Sequence, residues 1–398
     1  MNKKTVFGAL MVVFTILLML VVNEAVLRLY FLGSLTRVSN EESPMIPHPT
    51  RGFSLKPGTK SWHQELDFTV AVNVNSQGLR GPDVPPKGSK QRILIIGDST
   101  TFGSGVPEDR IIPTLLAQKL DGNRVDVVNG SFTTYNTVQE LLFLEEEGLS
   151  FKPDLVILAF SPNTDIQVNT LALQRLHQKH KKHPYATLTP EGMLQLDLTY
   201  VEKAYQKHQE KSQVPKTSSF WKEQVTYTLI KKYIRGFKSS KWNDPNIFIG
   251  WPFLAEFSPE HSTRGMTADE YQAVWEDGWN VTKALILRMQ EDSKKHGARF
   301  AMMVMAPKLQ VEAVYQARVL EAFPHLKLDT TRINRVFEDF GKEAGISVLD
   351  ALTPLLEAEA RGEEGLYYNI EDEHMTAKSH EYVAAALAKQ IREQGLLP

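Results

Sequence analysis

Arg92-Ile93-Leu94-Ile95-Ile96-Gly97-Asp98-Ser99-Thr100-Thr101-Phe102-Gly103 is the stretch whose reading decides the fold. Four consecutive aliphatic residues read as a strand covered on both faces, as strands of a parallel sheet are. The run stops at a glycine, an acid and a hydroxyl, and a Gly-rich turn and an amphipathic helix follow. That order puts the Ser99 side chain at the carboxyl edge of the sheet, where open α/β folds hold their ligands. By themselves the same residues also describe a plain strand-to-helix turn in which Asp98 and Ser99 cap the next helix.

Working outward, the pattern repeats. Val125 to Val128 is a second short strand, ending at Asn129-Gly130-Ser131. Leu155 to Phe160 is a third, ending at Ser161-Pro162-Asn163-Thr164-Asp165. Phe300 to Met305 and Ile346 to Leu349 supply a fourth and a fifth. Helices are expected over 111–120, with Pro113 tolerated in the first turn, and over 137–147, opened by a Thr137/Glu140 capping box. Further helices are expected over 267–295, opened by Thr267/Glu270 and stopped at Gly297, and over 330–343 on the spacing of Ile333, Val336, Phe337 and Phe340. The last opens at Thr376 and runs through Val383, Leu387 and Ile391. Strands alternating with helices predict an α/β fold, a doubly wound five-stranded parallel sheet with right-handed crossovers.

Residues 166–265 break the rhythm; they are helical in flavour, basic and aromatic, and read as an insertion that covers the substrate entrance or contacts a partner. Within it, His177, His180 and His183 fall at i, i+3 and i+6, too far around a helix for one compact metal site. The lysines between them also repel a cation, so the reading is a solvated face, or one facing acidic glycans or lipid headgroups. Residues 33–67, with Pro44, Pro47, Pro49 and Pro57, read as a loop-like stalk. Phe68 to Val74 alternates as an edge strand would. The turn Asn75-Ser76-Gln77-Gly78-Leu79-Arg80-Gly81 follows, and Arg80 is given a structural role only.

The chain has 398 residues, 45 Lys and Arg against 47 Asp and Glu, and a net charge of -2 with the signs well mixed. Nothing in that balance points to a nucleic-acid partner. There is no cysteine, which removes disulfides, thiolate metal sites and a cysteine nucleophile. The N-terminus is more informative. Asn2-Lys3-Lys4 is a short basic flank, and Val6 to Val22 carries no charge, about the minimum length for the hydrocarbon core. Basic residues before the span place the N-terminus in the cytoplasm and the body outside. A cleaved signal peptide is the rival, but Val22-Asn23-Glu24-Ala25 is a poor small-x-small site and the chain stays apolar to Leu32, with Arg28 placed to snorkel. Residues 1–32 are therefore expected to be an uncleaved membrane anchor ahead of a body at 68–398.

A serine hydroxyl becomes a nucleophile when a base takes its proton, and the base needs an orienting acid. Tyr367-Tyr368-Asn369-Ile370-Glu371-Asp372-Glu373-His374-Met375-Thr376 offers both just before the last helix. In an extended loop, side chains at i and i+2 share a side, so Asp372 can accept from the imidazole while the other ring nitrogen of His374 faces Ser99.

Together the Gly97-Asp98-Ser99 block and the Asp372-x-His374 block, in this order on these strand ends, resemble the SGNH (GDSL-type) hydrolases. The similarity begins at Asn75 to Gly81, which is close to an NSxGxRG segment of membrane-anchored bacterial members, and covers about 68–165 and 267–395. It implies an SGNH/flavodoxin-like three-layer sandwich and an ester hydrolase with the triad Ser99, Asp372 and His374, needing no metal or organic cofactor. Many members space the acid three residues from the histidine, which would select Glu371; the anchored relatives favour Asp-x-His, hence Asp372. The resemblance also implies oxyanion donors from Ser99 N–H, from a glycine after the second strand and from an asparagine after the third. Gly130 is the only glycine available, although a gapless match puts Ser131 there. Asn163 is taken for the third donor, with Thr164 as the alternative, because the usual Asn-Asp pair is here Asn163-Thr164-Asp165. The implied partner is an acyl-ester substrate, on an envelope glycan or lipid by analogy. The same triad could pass the acyl group to a sugar hydroxyl, and the altered second and third blocks leave room for a non-catalytic envelope binding protein. The oligomeric state is not readable.

Overall fold

The computed structural model describes residues 3–30, 44–65, 67–162, 164–176, 183–212, 251–254, 267–368 and 374–397. The strands among the described residues are β1 Met45–His48, β2 Gly52–Leu55, β3 Lys60–Gln64, β4 Thr69–Asn73, β5 Gln91–Gly97, β6 Val125–Asn129, β7 Leu155–Phe160, β8 Tyr185–Leu188, β9 Leu194–Asp197, β10 Arg299–Val304 and β11 Ser347–Asp350. Five of them form one sheet in the order β11-β10-β7-β5-β6. All four pairings in it are parallel, with Ile93 beside Leu155 and Ile95 beside Asn129. The chain leaves β5 towards one side of the sheet for β6 and returns past it to β7. β5 and β7 therefore flank the topological switch point, and Ser99 follows β5 at that crevice.

Alternate residues of β5 feed two cores. Leu94 and Ile96 face one layer with the helices Thr137–Glu146, Ala268–Lys295 and Arg332–Ala344, through Leu141, Trp275, Leu285, Ile286 and Phe337. Ile93 and Ile95 face the other, with Ile112–Lys119, Thr353–Ala360 and the closing helix Ala377–Glu393, through Ile112, Leu116, Leu355, Val383 and Leu387. Each of these β5 side chains is fully buried, a transfer worth roughly 1.5–3 kcal/mol apiece. Sheet and two helical layers make the expected three-layer, doubly wound α/β fold.

The expected helices are present with small shifts. The second opens one residue early, because Asn136 rather than Thr137 is the N-cap and its side chain and Gln139 form the capping box. That moves Glu140 into the interior of the helix, where it is buried. The Thr267/Glu270 box is formed as read.

Two stretches differ from their sequence reading. The proline-bearing segment after residue 43 is not loop-like: β1 pairs antiparallel with β2, and β3 with β4. Tertiary contacts hold it there. Arg51 is fully buried, its guanidinium against Glu146 and Glu147 and over the rings of Phe132 and Phe143. Tyr135 Oη also donates to Phe53 O at 2.8 Å. The described part of the insertion is mixed rather than helical, since β8 and β9 form a hairpin between the helices Leu171–Leu176 and Thr199–Ser212. Its turn is set by Gly192 at φ +82°. Of His177, His180 and His183, the last sits 2.9 Å from Gln139 Oε1; His177 and His180 lie outside the described residues.

The N-terminal helix Lys3–Tyr30 belongs to a unit separate from the sheet-bearing body. Val6–Val26, 21 residues with a mean hydropathy of 2.6, is long and apolar enough to cross a membrane. At about 1.5 Å per residue it matches a hydrocarbon core of about 30 Å.

Candidate active site

Ser99 is the first residue of a one-turn helix, Ser99–Phe102, at the end of β5. Asp98 caps that turn, accepting the Thr100 N–H at 2.9 Å. Gly103 closes it in the left-handed conformation at φ +88°, where a Cβ would stand 2.2 Å from Ile111 Cγ2. The turn is pinned from behind by Arg80. This buried guanidinium donates to the carbonyls of Phe102, Gly103 and Val106 at 2.9, 2.6 and 2.7 Å. Burial draws its pKa down to about 10, so it remains charged at neutral pH. Arg80 thus does more than make a local turn: it holds three carbonyls of the serine loop.

From the other end of the chain, Tyr367 bridges Met375, and Tyr368 N–H donates to His374 O at 3.1 Å. Thr376 N–H donates to Leu366 O at 2.9 Å as the closing helix begins. This short ladder delivers the imidazole: Ser99 Oγ and His374 Nε2 lie 2.7 Å apart across 275 residues of sequence. An unprotonated Nε2 at that distance accepts the serine hydroxyl and can take its proton. The neighbouring His380 is a different kind of histidine. It is buried, its Nδ1 accepts Ile112 N–H at 3.0 Å, and burial with the charge of Arg80 lowers its pKa to about 3.

The remaining sequence-derived site residues fare unequally. Asp372, its rival Glu371, and Asn163 lie outside the described residues. Gly130 is not an oxyanion donor: its N–H is committed to Ile95 O at 2.8 Å, extending the ladder between β5 and β6. A Cβ there would meet Phe143 Cε1 at 2.6 Å and Leu94 Cδ1 at 2.9 Å. Glycine is required for packing. The alternative Ser131 has its N–H on Asn129 Oδ1 at 3.2 Å. Thr164 is exposed, with its N–H on Ser161 O at 3.1 Å.

Below the serine turn lies a group of acids that sequence reasoning missed. Asp98, Glu140 and Asp165 are all buried. Burial raises the pKa of each; repulsion by Asp165 and Asp98 adds to it at Glu140, and repulsion by Asp98 at Asp165, and both stand well above the ordinary range. Asp98 is moderated by Thr100 N–H, the Ser161 hydroxyl and His374. Among the described residues, both oxygens of Glu140 and Oδ1 of Asp165 have no hydrogen-bond partner. No trio of His, Cys, Asp or Glu among the described residues is arranged to hold a metal ion.

Residues 266–398, the part that carries His374, match the family model described as SGNH hydrolase-like domain, acetyltransferase AlgX. No curated protein matches the chain. Similar solved structures include a catalytic mutant of an acetylxylan esterase from Geobacillus stearothermophilus, at 13% identity over 77% of this chain and 96% of that one, with a TM-score of 0.37. A lipase/acylhydrolase from Enterococcus faecalis is 12% identical over 76% of this chain and 96% of that one, TM-score 0.35. A member of the lipolytic protein G-D-S-L family from Veillonella parvula DSM 2008 is 13% identical over 76% of this chain and 97% of that one, TM-score 0.34. The chain therefore has a doubly wound sheet with its serine and histidine at the expected strand and helix ends, and its C-terminal third is similar to the SGNH hydrolase-like domain.

Proposed function

We propose that this protein is a serine-dependent acyl-transfer enzyme, an esterase acting on acyl esters of the cell envelope. The observation that carries the reading is the 2.7 Å contact of Ser99 Oγ with His374 Nε2 at the switch point of the sheet. Ser99 attacks the ester carbonyl as His374 takes its proton; the same imidazole then protonates the leaving alkoxide. Water, activated by His374, releases the acid from the acyl-enzyme and restores the serine. Asp372 is assigned to the other ring nitrogen, holding the tautomer and balancing the imidazolium. The Ser99 N–H is assigned to the charge that develops on the carbonyl oxygen. The apolar span Val6–Val26 is proposed as the anchor, with the body on the extracytoplasmic side.

A second reading is supported by the family description itself, which names an acetyltransferase. A sugar hydroxyl in place of water would accept the same acyl group. Turnover of p-nitrophenyl acetate by the detergent-solubilised chain tests the common step. Ser99→Ala should reduce kcat by about 10⁴-fold or more. Retention of wild-type turnover by Ser99→Ala would defeat both readings. Acceleration of p-nitrophenol release by an added polyol, with a new acetyl ester on it, would select transfer over hydrolysis.

A further inference from the structure

Two struts, not one, run from the histidine ladder to the serine loop. Tyr368 and His374 are opposite one another, joined by the 3.1 Å bond from Tyr368 N–H to His374 O. Residues directly opposite on a two-stranded ladder project to the same side. His374 Nε2 reaches Ser99 Oγ at 2.7 Å, and Tyr368 Oη donates to Gly105 O at 2.6 Å. At the receiving end, Ser99 and Gly105 belong to one tight loop, since Gly103 and Ser104 both donate their N–H to Ser99 O, at 3.1 and 3.0 Å. The tyrosine is braced on its other sides. Lys308, almost fully buried beyond the end of β10, donates from Nζ to Tyr368 O at 3.0 Å, and the Phe68 ring packs 4.9 Å from the tyrosine ring. Gly105 permits the approach: at φ +78°, a Cβ there would lie 2.8 Å from atoms of both Phe68 and Tyr368.

We infer that Tyr368 is a positioning residue whose hydroxyl, anchored on the Gly105 carbonyl, fixes the reach of His374 over Ser99. The inference rests on the reading that Ser99 and His374 react together. Without the hydroxyl, the tie from the Tyr368 side chain to the serine loop is lost, and the spacing that the rung sets between His374 and Ser99 loosens. Small misplacements of a base are costly: about 1 Å can remove a hundredfold of rate.

The test uses the full-length chain in detergent, with ring-¹⁵N histidine. Tyr368→Phe should lower kcat for p-nitrophenyl acetate by about 10–100-fold and leave KM within about twofold, because ester binding is untouched. In parallel, the ¹⁵N shift of His374 Nε2 is recorded with and without Ser99→Ala. That substitution should move the resonance when Tyr368 is present and move it much less in the Tyr368→Phe background. A change confined to fold stability would lower the melting temperature without removing this coupling. Wild-type kcat in Tyr368→Phe, or a full Nε2 response to Ser99→Ala in that background, overturns the inference. Should the wild-type chain turn over no ester, the acyl-transfer reading falls, and the nitrogen shifts alone decide whether the tyrosine holds the histidine to the serine.

Discussion

Glu140→Gln should stabilise the protein at neutral and alkaline pH and change it little in acid. Glu140 is buried on the inner side of the helix Thr137–Glu146, both its oxygens lack partners among the described residues, and the charged groups that bear on it are the carboxyls of Asp165 and Asp98. Burial and like charge both penalise the anion, so the folded protein keeps this proton to a pH well above the ordinary value of 4.5. The sign follows from proton counting. Between 4.5 and the raised folded value, the folded state holds a proton that the unfolded state has released, so raising the pH favours unfolding. Each pH unit in that window costs about 1.4 kcal/mol for one such proton. Glutamine has the shape of the protonated acid and no proton to lose. It also removes a prospective like charge beside Asp165, whose own pKa is raised chiefly by burial and then by Asp98. The assay is urea unfolding of the full chain in detergent at a series of pH values, read by tryptophan fluorescence, since Trp275 is buried in the core next to this helix. The wild-type and variant midpoints should converge towards pH 4.5 and separate above it. Parallel curves, or a variant less stable than wild type at pH 8, would mean that Glu140 is ionised in the folded state with its charge compensated, and would refute the reasoning.

Arg80→Lys should cost about 2–4 kcal/mol, seen as a lower urea midpoint at unchanged m-value. One ammonium cannot reach the three carbonyls at 2.9, 2.6 and 2.7 Å that the guanidinium fork serves, and each buried carbonyl left unpaired costs about 1–3 kcal/mol. Thr134→Gly should raise stability by about 0.5–1 kcal/mol in the same assay. Thr134 is exposed and β-branched at φ +63°, a conformation that costs about 1–2 kcal/mol, of which the greater freedom of unfolded glycine returns part.

The central sheet was legible because each of its strands is a short apolar run that ends in small or polar residues. Ile93 to Ile96 alone predict burial on both faces, and the structure places two of the four in each core. What escaped was set by contacts distant in sequence. Strands β1 and β2 are four residues each and β1 contains Pro47; no local propensity marks them. They are held by Arg51 against Glu146 and Glu147, at the end of a helix some 95 residues further on. The buried acids escaped for a related reason. A glutamate after Asn136-Thr137 reads as a capping residue, and one step of register, with Asn136 as the cap, turns it into the core.

The site divides along the same line. Ser99 and His374 could be read because each stands at the border of a regular element, β5 for one and the closing helix for the other, and such borders fix where a side chain points. A backbone donor on a loop has no such border to announce it. Its direction depends on φ and ψ, and the letter G does not say whether a glycine is present for a left-handed turn, for a donor or for space. At Gly130 the reason is space, because Phe143 and Leu94 close over it and its N–H continues the sheet. The left-handed residue of that loop comes four positions later and is Thr134, where no glycine draws the eye. A backbone strained at that cost persists only if the surrounding structure over-determines it. Here the neighbours are the Phe132 N–H on Gly97 O at 3.0 Å, next to the serine turn, and the Asn136 cap of the following helix. Both ends of the loop are therefore fastened before Thr134 chooses its conformation, and the strain is a consequence of where β5 and the next helix must lie.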